Sequence, residues 1–306
     1  MPWLADGSRA SLADALRVVA PGLGDTSIEV RASRHEDDPL WWSGTAIVDA
    51  EYVAKFAWSR PAAVRLAHEI AVVTALAGVP FLPEIVASGA DPVLLVSRRV
   101  SGVSLFAAAP GLDPERAGGD LARFLAALHD PATRARLEAA VGELPDARQG
   151  PEYPRGSQHP RALPPRQEAL VARWRAWAAA TLERPGQAAV AVHADLHGDN
   201  QVWAGGSLKL VVDFENVSSA EPEYDLRALP ATGVPLLTAT IRHYEHSTGR
   251  RVDVERVMAW HLRTVLADAA WRLEAGVPLP GDRTLADWFD DLAALFDGVG
   301  IETRNA

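Results

Sequence analysis

The chain has 306 residues, 48% of them apolar and 23% charged, so it is globular rather than disordered and long enough for one large domain or two lobes. Its formal net charge is −10, which makes it a poor general binder of nucleic acid, because phosphates repel it. It has no cysteine, which excludes disulfides, thiolate zinc sites and cysteine nucleophiles.

The first segment, "MPWLADGSRASLADAL", has no basic stretch followed by an apolar one, and no run of 18 apolar residues follows anywhere. A cytoplasmic protein without a membrane span is expected. Residues 9–20 predict a first helix, capped by Ser11 or a neighbour and ended by "PGLG". Three strand-like runs follow at 27–33, 45–50 and 52–58, the last two close enough for a hairpin. Between the first and second lies the loop "RHEDDPLWWSG". Residues 61–79 read as a helix with Leu66, Ile70, Val73 and Ala77 on one face, opened by Pro61 and closed by Gly78. Residues 92–99 predict another strand, with "VSGVSL" as its connector.

From about residue 113 the pattern turns helical. Leu121, Phe124, Leu125 and Leu128 stand at helical spacing, and "RQEALVARWRAWAAATLE" predicts a strong helix. Residues 144–166 between them are rich in Pro and polar residues and read as a long loop. Residues 208–215, "LKLVVDFE", predict a strand, and 224–298 are mostly helical. The plan is two lobes, residues 1–97 and 98–306, with a cleft between them where a small ligand would sit.

Of the 30 basic residues only Lys55 and Lys209 are lysine, so a lysine marks a place where arginine would not serve. Lys55 stands in the apolar strand "YVAKFAW", and Glu69 lies along the apolar stripe of the helix 61–79. Each lacks a local partner, and pairing with one another would solve both problems. Then comes "HADLHGDN" (193–200), where Asp195 and Asn200 are five apart, with Asp213 thirteen further on in "VVDFE". An Asp and an Asn on one loop can hold a hydroxyl and a Mg²⁺ position, and a neighbouring carboxylate can share the metal. Strand alternation turns Asp213 toward the cleft, with Leu208, Leu210, Val212 and Phe214 facing the core.

In order and rough spacing, Lys55, Glu69, "HADLHGDN" and "VVDFE" resemble the aminoglycoside phosphotransferase family of protein-kinase-like small-molecule kinases. That family's catalytic segment usually reads H-G-D-L-H-x-x-N, followed by a strand ending in I-D-F/W. "VLLVSRRVSGVSL" resembles its hinge, "DLARFLAALH" the helix after it, and "SSAEPEYDLRAL" the segment after the metal Asp. The resemblance spans about residues 25–230. It implies an α+β, protein-kinase-like two-lobe fold with a small β-rich N-terminal lobe and a larger helical C-terminal lobe. It also implies phosphoryl transfer from ATP or GTP, with Mg²⁺, to a hydroxyl of an aminoglycoside or other antibiotic. A choline, fructosamine or homoserine type of metabolite kinase and a nucleotide-binding pseudokinase are the alternatives.

By the same resemblance Asp195 is the catalytic base, Asn200 and Asp213 are the metal ligands, and Lys55, held by Glu69, meets the α- and β-phosphates. His193 braces the catalytic loop, and His197 supports it. Ser43 and Gly44 remain from the phosphate loop, and the backbone of Ser97, Arg98, Arg99 and Val100 meets the adenine edge. The implied partners are a nucleoside triphosphate and a small hydroxyl acceptor, with the protein a monomer or homodimer.

Two departures stand out. Ala194 replaces the usual Gly, which is tolerated unless φ there is positive. The phosphate loop is not G-x-G-x-x-G, and Trp41-Trp42 in it is either a lid over a ligand or, as preferred here, filling of the small lobe's core. Glu221, Glu223, Asp287, Asp290 and Asp291 could recognise a polyamine, but the carboxylates of "WFDDLAALFD" read better as the wet face of a helix that buries Trp288, Leu292 and Leu295. A hydrolase using His193, Asp195 and His197 as metal ligands is a competing reading, and it leaves Lys55, Glu69 and Asp213 unexplained.

Overall fold

Helix α1 (Arg9–Val19) starts one turn earlier than Ser11, because Ser8 is its cap and accepts from the Ser11 N–H at 3.2 Å. The chain, a computed structural model, is described over residues 2–31, 38–149, 165–279 and 283–301. After α1 come β1 (Ile28–Arg31), β2 (Ser43–Val48) and β3 (Tyr52–Ala57), then α2 (Arg60–Ala75), β4 (Ile85–Ala90) and β5 (Val93–Arg98). The five strands form one antiparallel sheet in the order β1-β2-β3-β5-β4.

The sheet is covered on both faces. Val48, Ala54, Phe56, Leu94 and Val96 pack on Leu12 and Leu16 of α1. Ala57, Val93 and Leu95 pack on Ala62, Ala63 and Leu66 of α2. Ser59 caps α2 and Pro61 sits in its first turn, where a missing N–H costs nothing. The helix ends at Ala75, short of the predicted Gly78, and Leu76–Gly78 form the turn that leaves it. Strand β4 has no counterpart in the sequence reading. Its Ala, Ser and Gly are weak strand formers, and its alternating burial is that of a sheet edge.

The remainder is helical with two small sheets. In chain order it runs β6 (Val103–Ser104), α3 (Leu105–Ala108), α4 (Pro114–Leu128), α5 (Pro131–Val141), α6 (Pro165–Glu183), β7 (Val190–Val192), β8 (Gln201–Ala204), β9 (Ser207–Val211), β10 (Ser218–Ala220), α7 (Glu223–Leu226), α8 (Val234–Thr248), α9 (Val254–Ala275) and α10 (Leu285–Gly298). Strands β6, β8 and β9 form one sheet, and β7 pairs with β10. The architecture is α+β and of the protein-kinase type.

Leu121, Phe124, Leu125 and Leu128 of α4 anchor the main core, against Leu237, Ile241 and Tyr244 of α8 and Phe214. A second core joins α6, α9 and α10 through Trp174, Met258, Leu262, Phe289 and Phe296, with Trp174 stacked on Phe296 at 5.7 Å. The buried stripe of α10 is therefore Phe289, Leu292 and Phe296, because Trp174 sits against that side; Trp288 and Leu295 are half-buried. Most of the 144–166 loop lies outside the described residues. No helix among the described residues is long and apolar enough to cross a membrane.

Candidate functional site

Lys55 sits in mid-strand on β3, opposite Thr45 of β2 and Leu95 of β5. Its ammonium donates to Glu69 Oε1 at 2.7 Å, which is the pairing inferred from the sequence, and also to Asp213 Oδ1. Glu69 is only 4% exposed. Burial opposes the charge of Lys55, and the carboxylates of Glu69 and Asp213 outweigh it and hold its pKa above the usual lysine value. Burial likewise works against Asp213, but Lys55 keeps it ionised below the ordinary aspartate range. For Glu69 burial dominates and pushes the pKa up.

Asp213 does not reach the cleft by strand alternation. Strand β9 stops at Val211, and Asp213 lies at φ 64°, ψ 60°, a left-handed conformation that redirects its side chain. Leu208, Leu210 and Phe214 are buried as expected, but so is Val211, and Val212 is only half-buried. The strand pattern ends just before Asp213. Asp and Asn are the residues that tolerate this backbone best after glycine.

The segment 193–200 joins β7 to β8. Asn200 is nearly buried, and its amide nitrogen donates to the Asp195 carbonyl at 2.9 Å. That bond leaves the amide oxygen as the group Asn200 can offer a ligand. The Val212 N–H donates to the Asn200 carbonyl at 3.0 Å, which ties this loop to the residue before Asp213. The Asp195 side chain is 41% exposed, with His197 Nε2 3.8 Å from its Oδ2. Burial of its surroundings lifts its pKa above the usual aspartate value, against the pull of His197, His193 and Arg227.

His193 is wholly buried. Its Nε2 donates to the Val212 carbonyl at 2.9 Å, and its Nδ1 accepts from the Asp195 N–H at 3.2 Å. Both ring nitrogens are thus engaged inside the protein, which rules out the metal-hydrolase reading of His193, Asp195 and His197. Among the described residues no group of three or more His, Asp or Glu is placed to hold a metal ion alone.

The deeper support of this loop escaped sequence reasoning. Ala194 has φ 66°, the positive value that the usual Gly would accept without strain. Asp225, fully buried, accepts from the His193 N–H at 2.8 Å and the Ala194 N–H at 2.9 Å. Arg227 donates to the Ala194 carbonyl. The peptide groups around Ala194 are clamped from both sides by residues at the end of α7. Asp225 is held in turn by His129 Nε2 at 3.2 Å, and the Tyr244 hydroxyl donates to His129 Nδ1 at 3.0 Å. Burial disfavours the Asp225 charge, but the hydrogen bonds and charge of His129 and His193 together outweigh it, and the pKa lies below the ordinary value. The "YDLRAL" and "ALHD" segments carried these residues, without a spacing that would pair them.

The other predicted residues lie around this centre. Ser43 and Gly44 are in β2, opposite Ala57 and Phe56. A Cβ on Gly44 would stand 3.3 Å from both the Phe56 and the Trp58 rings, so packing alone accounts for glycine there. Ser97 and Arg98 close β5. The Arg98 N–H donates to the Glu84 carbonyl at 2.9 Å and the Arg99 N–H to the Glu51 carbonyl at 2.7 Å. Trp41 does not fill the small lobe's core. It is 41% exposed, with the Arg65 guanidinium 4.1 Å from its ring centroid. Glu36 and Asp37 lie outside the described residues.

Four of the five acids singled out for polyamine recognition have partners within the protein, and the fifth, Asp290, is exposed on α10. Glu221 is buried in a bidentate pair with Arg256, and Trp260 Nε1 donates to it at 2.6 Å. Glu223 is buried and accepts from Gln187 at 2.6 Å and from the Asp253 N–H at 3.0 Å. Asp287 closes the capping box of α10 with Thr284, and Asp291 pairs with Arg283.

The donors at the centre suit a magnesium ion that arrives with a nucleotide. Mg²⁺ is commonly held by one or two protein oxygens and completed by phosphates and water. Asp213 and the Asn200 amide oxygen would supply such a pair, and the Lys55 ammonium already marks a cationic position against Asp213.

A kinase-type scaffold that brings a lysine–glutamate pair, an Asp–Asn loop and a second aspartate to one cleft defines a phosphotransferase. Residues 32–271, most of the chain, match the phosphotransferase enzyme family, and the chain belongs to it. No curated protein sequence matches the chain. Among solved structures, the GDP complex of aminoglycoside 2'-phosphotransferase-IIIa is similar, with a TM-score of 0.66 and 17% identity over 95% of this chain and 98% of that one. The macrolide 2'-phosphotransferase MphH from Brachybacterium faecium matches at a TM-score of 0.59 and 19% identity, over 93% and 97%. Spectinomycin phosphotransferase with ADP and its antibiotic matches at 0.57 and 13%, over 95% and 94%. At such identities the likeness is one of fold.

Proposed function

We propose that the protein transfers the γ-phosphoryl group of ATP or GTP, with Mg²⁺, to a hydroxyl of a small molecule of the antibiotic class. The observation that carries this reading is the meeting of Lys55, Glu69 and Asp213 beside Asp195 and Asn200, from four separate segments of the chain. In this reading residues 1–97 hold the nucleotide and 98–306 supply the catalytic loop and the acceptor site. In the same reading the backbone of Ser97, Arg98, Arg99 and Val100 would meet the adenine edge, and Ser43 and Gly44 would lie beside the phosphates.

Asp195 would accept or orient the acceptor's hydroxyl proton. Its pKa, raised by burial, makes it a better proton acceptor than a fully solvated aspartate. Lys55 would leave Asp213 for the α- and β-phosphates and remain positioned by Glu69. Asn200 and Asp213 would hold the metal, which supplies charge neutralisation at the terminal phosphates. Transfer through a loose transition state asks mainly for such positioning and neutralisation.

One observation bears on the acceptor. Of the acids that could meet a polyamine, Glu221 and Glu223 are buried and bound within the protein, which leaves only the exposed Asp287, Asp290 and Asp291 of α10 for such a role.

The test is a screen of nucleotide consumption with Mg²⁺ across amino sugars, macrolides, peptide antibiotics, choline, fructosamines and homoserine. Turnover with one antibiotic class supports the proposal, and turnover with a metabolite alone redirects it to the metabolite kinases. Asp195→Ala should abolish transfer and keep nucleotide binding. Near-normal transfer by that variant would refute the base assignment.

A further inference from the structure

The segment before β2 is not a G-x-G-x-x-G loop, so glycines do not shape the part of it that would lie over the phosphates. Residues 38–42 answer with a single tight turn. Asp38 accepts from the Leu40 N–H at 2.9 Å, and the Trp41 N–H donates to the Asp38 carbonyl at 2.9 Å. Ser59, the cap of α2, donates to the Pro39 carbonyl. One side chain then holds the turn at two successive residues. Arg65 of α2 donates through NH1 to the Leu40 carbonyl at 2.7 Å, and its guanidinium lies 4.1 Å from the Trp41 ring.

The same guanidinium donates through NH2 to Glu215 Oε1. Glu215 is two residues beyond Asp213, in the tight turn Phe214–Asn216. Arg65 stands one helical turn before Glu69, so α2 sends two side chains to one short segment. Glu69 reaches Asp213 through Lys55, and Arg65 reaches Glu215 directly. Between those two acids Phe214 is fully buried, with its ring 4.7 Å from that of His193 and 6.4 Å from that of Phe124. The segment is therefore pinned at three successive residues.

We propose that Arg65 is a positioning residue that couples the 38–42 turn to the 213–215 segment, so that the phosphate loop and the metal-binding aspartate are set together. A planar fork with several fixed donors can serve Leu40, Trp41 and Glu215 at once; an ammonium cannot. Side-chain exposures of 22% for Arg65 and 24% for Glu215 place the pair at the edge of the cleft, where it can respond to a ligand. The consequence for nucleotide affinity rests on the function proposed above, whereas the coupling itself is measurable without any ligand.

The first experiment is amide hydrogen exchange on the full chain without nucleotide. Glu215→Gln touches neither Trp41 nor Trp42, yet it should speed exchange of their amides by about tenfold, as should Arg65→Ala. The Arg65→Ala/Glu215→Gln double variant should add little to either, because both remove one coupling. Arg65→Lys should keep a near-normal thermal midpoint, through its charge on Glu215, and still show fast exchange at Trp41 and Trp42. The second experiment is titration with ADP and then GDP in Mg²⁺, where each single variant should weaken binding by roughly tenfold and the double no further. Unchanged Trp41 and Trp42 exchange in Glu215→Gln overturns the coupling. Failure of the unaltered protein to bind either nucleotide refutes the nucleotide reading instead, and the exchange result still decides the role of Arg65.

Discussion

Lys55 and Asp213 are 158 residues apart in the chain, and the lysine ammonium donates directly to the Asp213 carboxylate. The contact crosses from the sheet of the small lobe to the end of β9 in the large one. It occupies the space where, in the proposed reaction, phosphates and a metal ion would stand.

Binding should therefore separate the two residues. ADP with Mg²⁺ at about a hundredfold over its Kd should raise stability by roughly 2.7 kcal/mol through mass action. In Asp213→Asn, ADP should still stabilise the protein but Mg²⁺ should add little. Lys55→Met should lower stability by about 2–3 kcal/mol, since it leaves the buried Glu69 without its counter-ion, the effect being moderated by the partial exposure of Lys55. Thermal unfolding with and without each ligand checks all three.

Much of this centre is legible from residue types alone. A lysine in an apolar strand and a glutamate in an apolar helical stripe are each expensive alone, so their pairing follows from desolvation. Asp195 and Asn200 are legible from their spacing. The placement of Asp213 is not, because alternation assumes that β9 continues, and a single left-handed residue ends it. Neither is the clamp of Asp225 and Arg227 on Ala194, since contacts across more than 30 residues leave no periodic trace. Trp41 misleads for a related reason. Burial is the ordinary fate of a tryptophan, and only the position of Arg65 explains one at the surface.

His261 gives the protein a built-in acid sensitivity. It is buried on α9, donates from Nδ1 to the Arg227 carbonyl at 2.8 Å, and burial pushes its pKa down to about 4. In the unfolded chain the same ring titrates near 6.5. Between these values the unfolded state binds the extra proton, so stability is complete above about pH 6.5 and falls as the pH drops toward 4. The loss from this group is at most about 3 kcal/mol. His193, also lowered by burial, acts in the same direction. Urea unfolding from pH 7.5 to 4.5 should show the decline. His261→Asn, which keeps a donor near Nδ1 and cannot titrate, should flatten part of it.

Ala194 holds its left-handed backbone only because Asp225 and Arg227 grip the peptides on either side. A left-handed non-glycine residue costs about 1–2 kcal/mol, and glycine loses roughly 0.4–1 kcal/mol through the greater freedom of the unfolded chain. Ala194→Gly should therefore stabilise by about 0.5–1 kcal/mol, read as a higher thermal midpoint, with activity retained. Asp225→Asn should do the reverse. It turns an acceptor of three hydrogen bonds into a group that presents an N–H to one of the donors, at a cost of about 2–4 kcal/mol. Loss of transfer in that variant should exceed its loss of nucleotide affinity, because the loop it supports carries Asp195 and not Lys55.

Two adjacent glycines in α4 should respond oppositely to the same substitution. A Cβ on Gly118 would lie 2.7 Å from the Thr240 nitrogen and 2.8 Å from the Ala239 carbonyl carbon, both backbone atoms of α8. Neither can yield without moving a helix, so Gly118→Ala should force α4 and α8 apart and cost about 2–3 kcal/mol. At Gly119 the nearest atom is His243 Nε2 at 4.0 Å, which is ordinary contact. Gly119→Ala should gain about 1 kcal/mol from helix propensity, since mid-helix glycine is less favourable than alanine by that amount. Chemical denaturation of the two variants decides the point. Equal effects would mean that the α4–α8 contact is looser than the close approach at Gly118 requires.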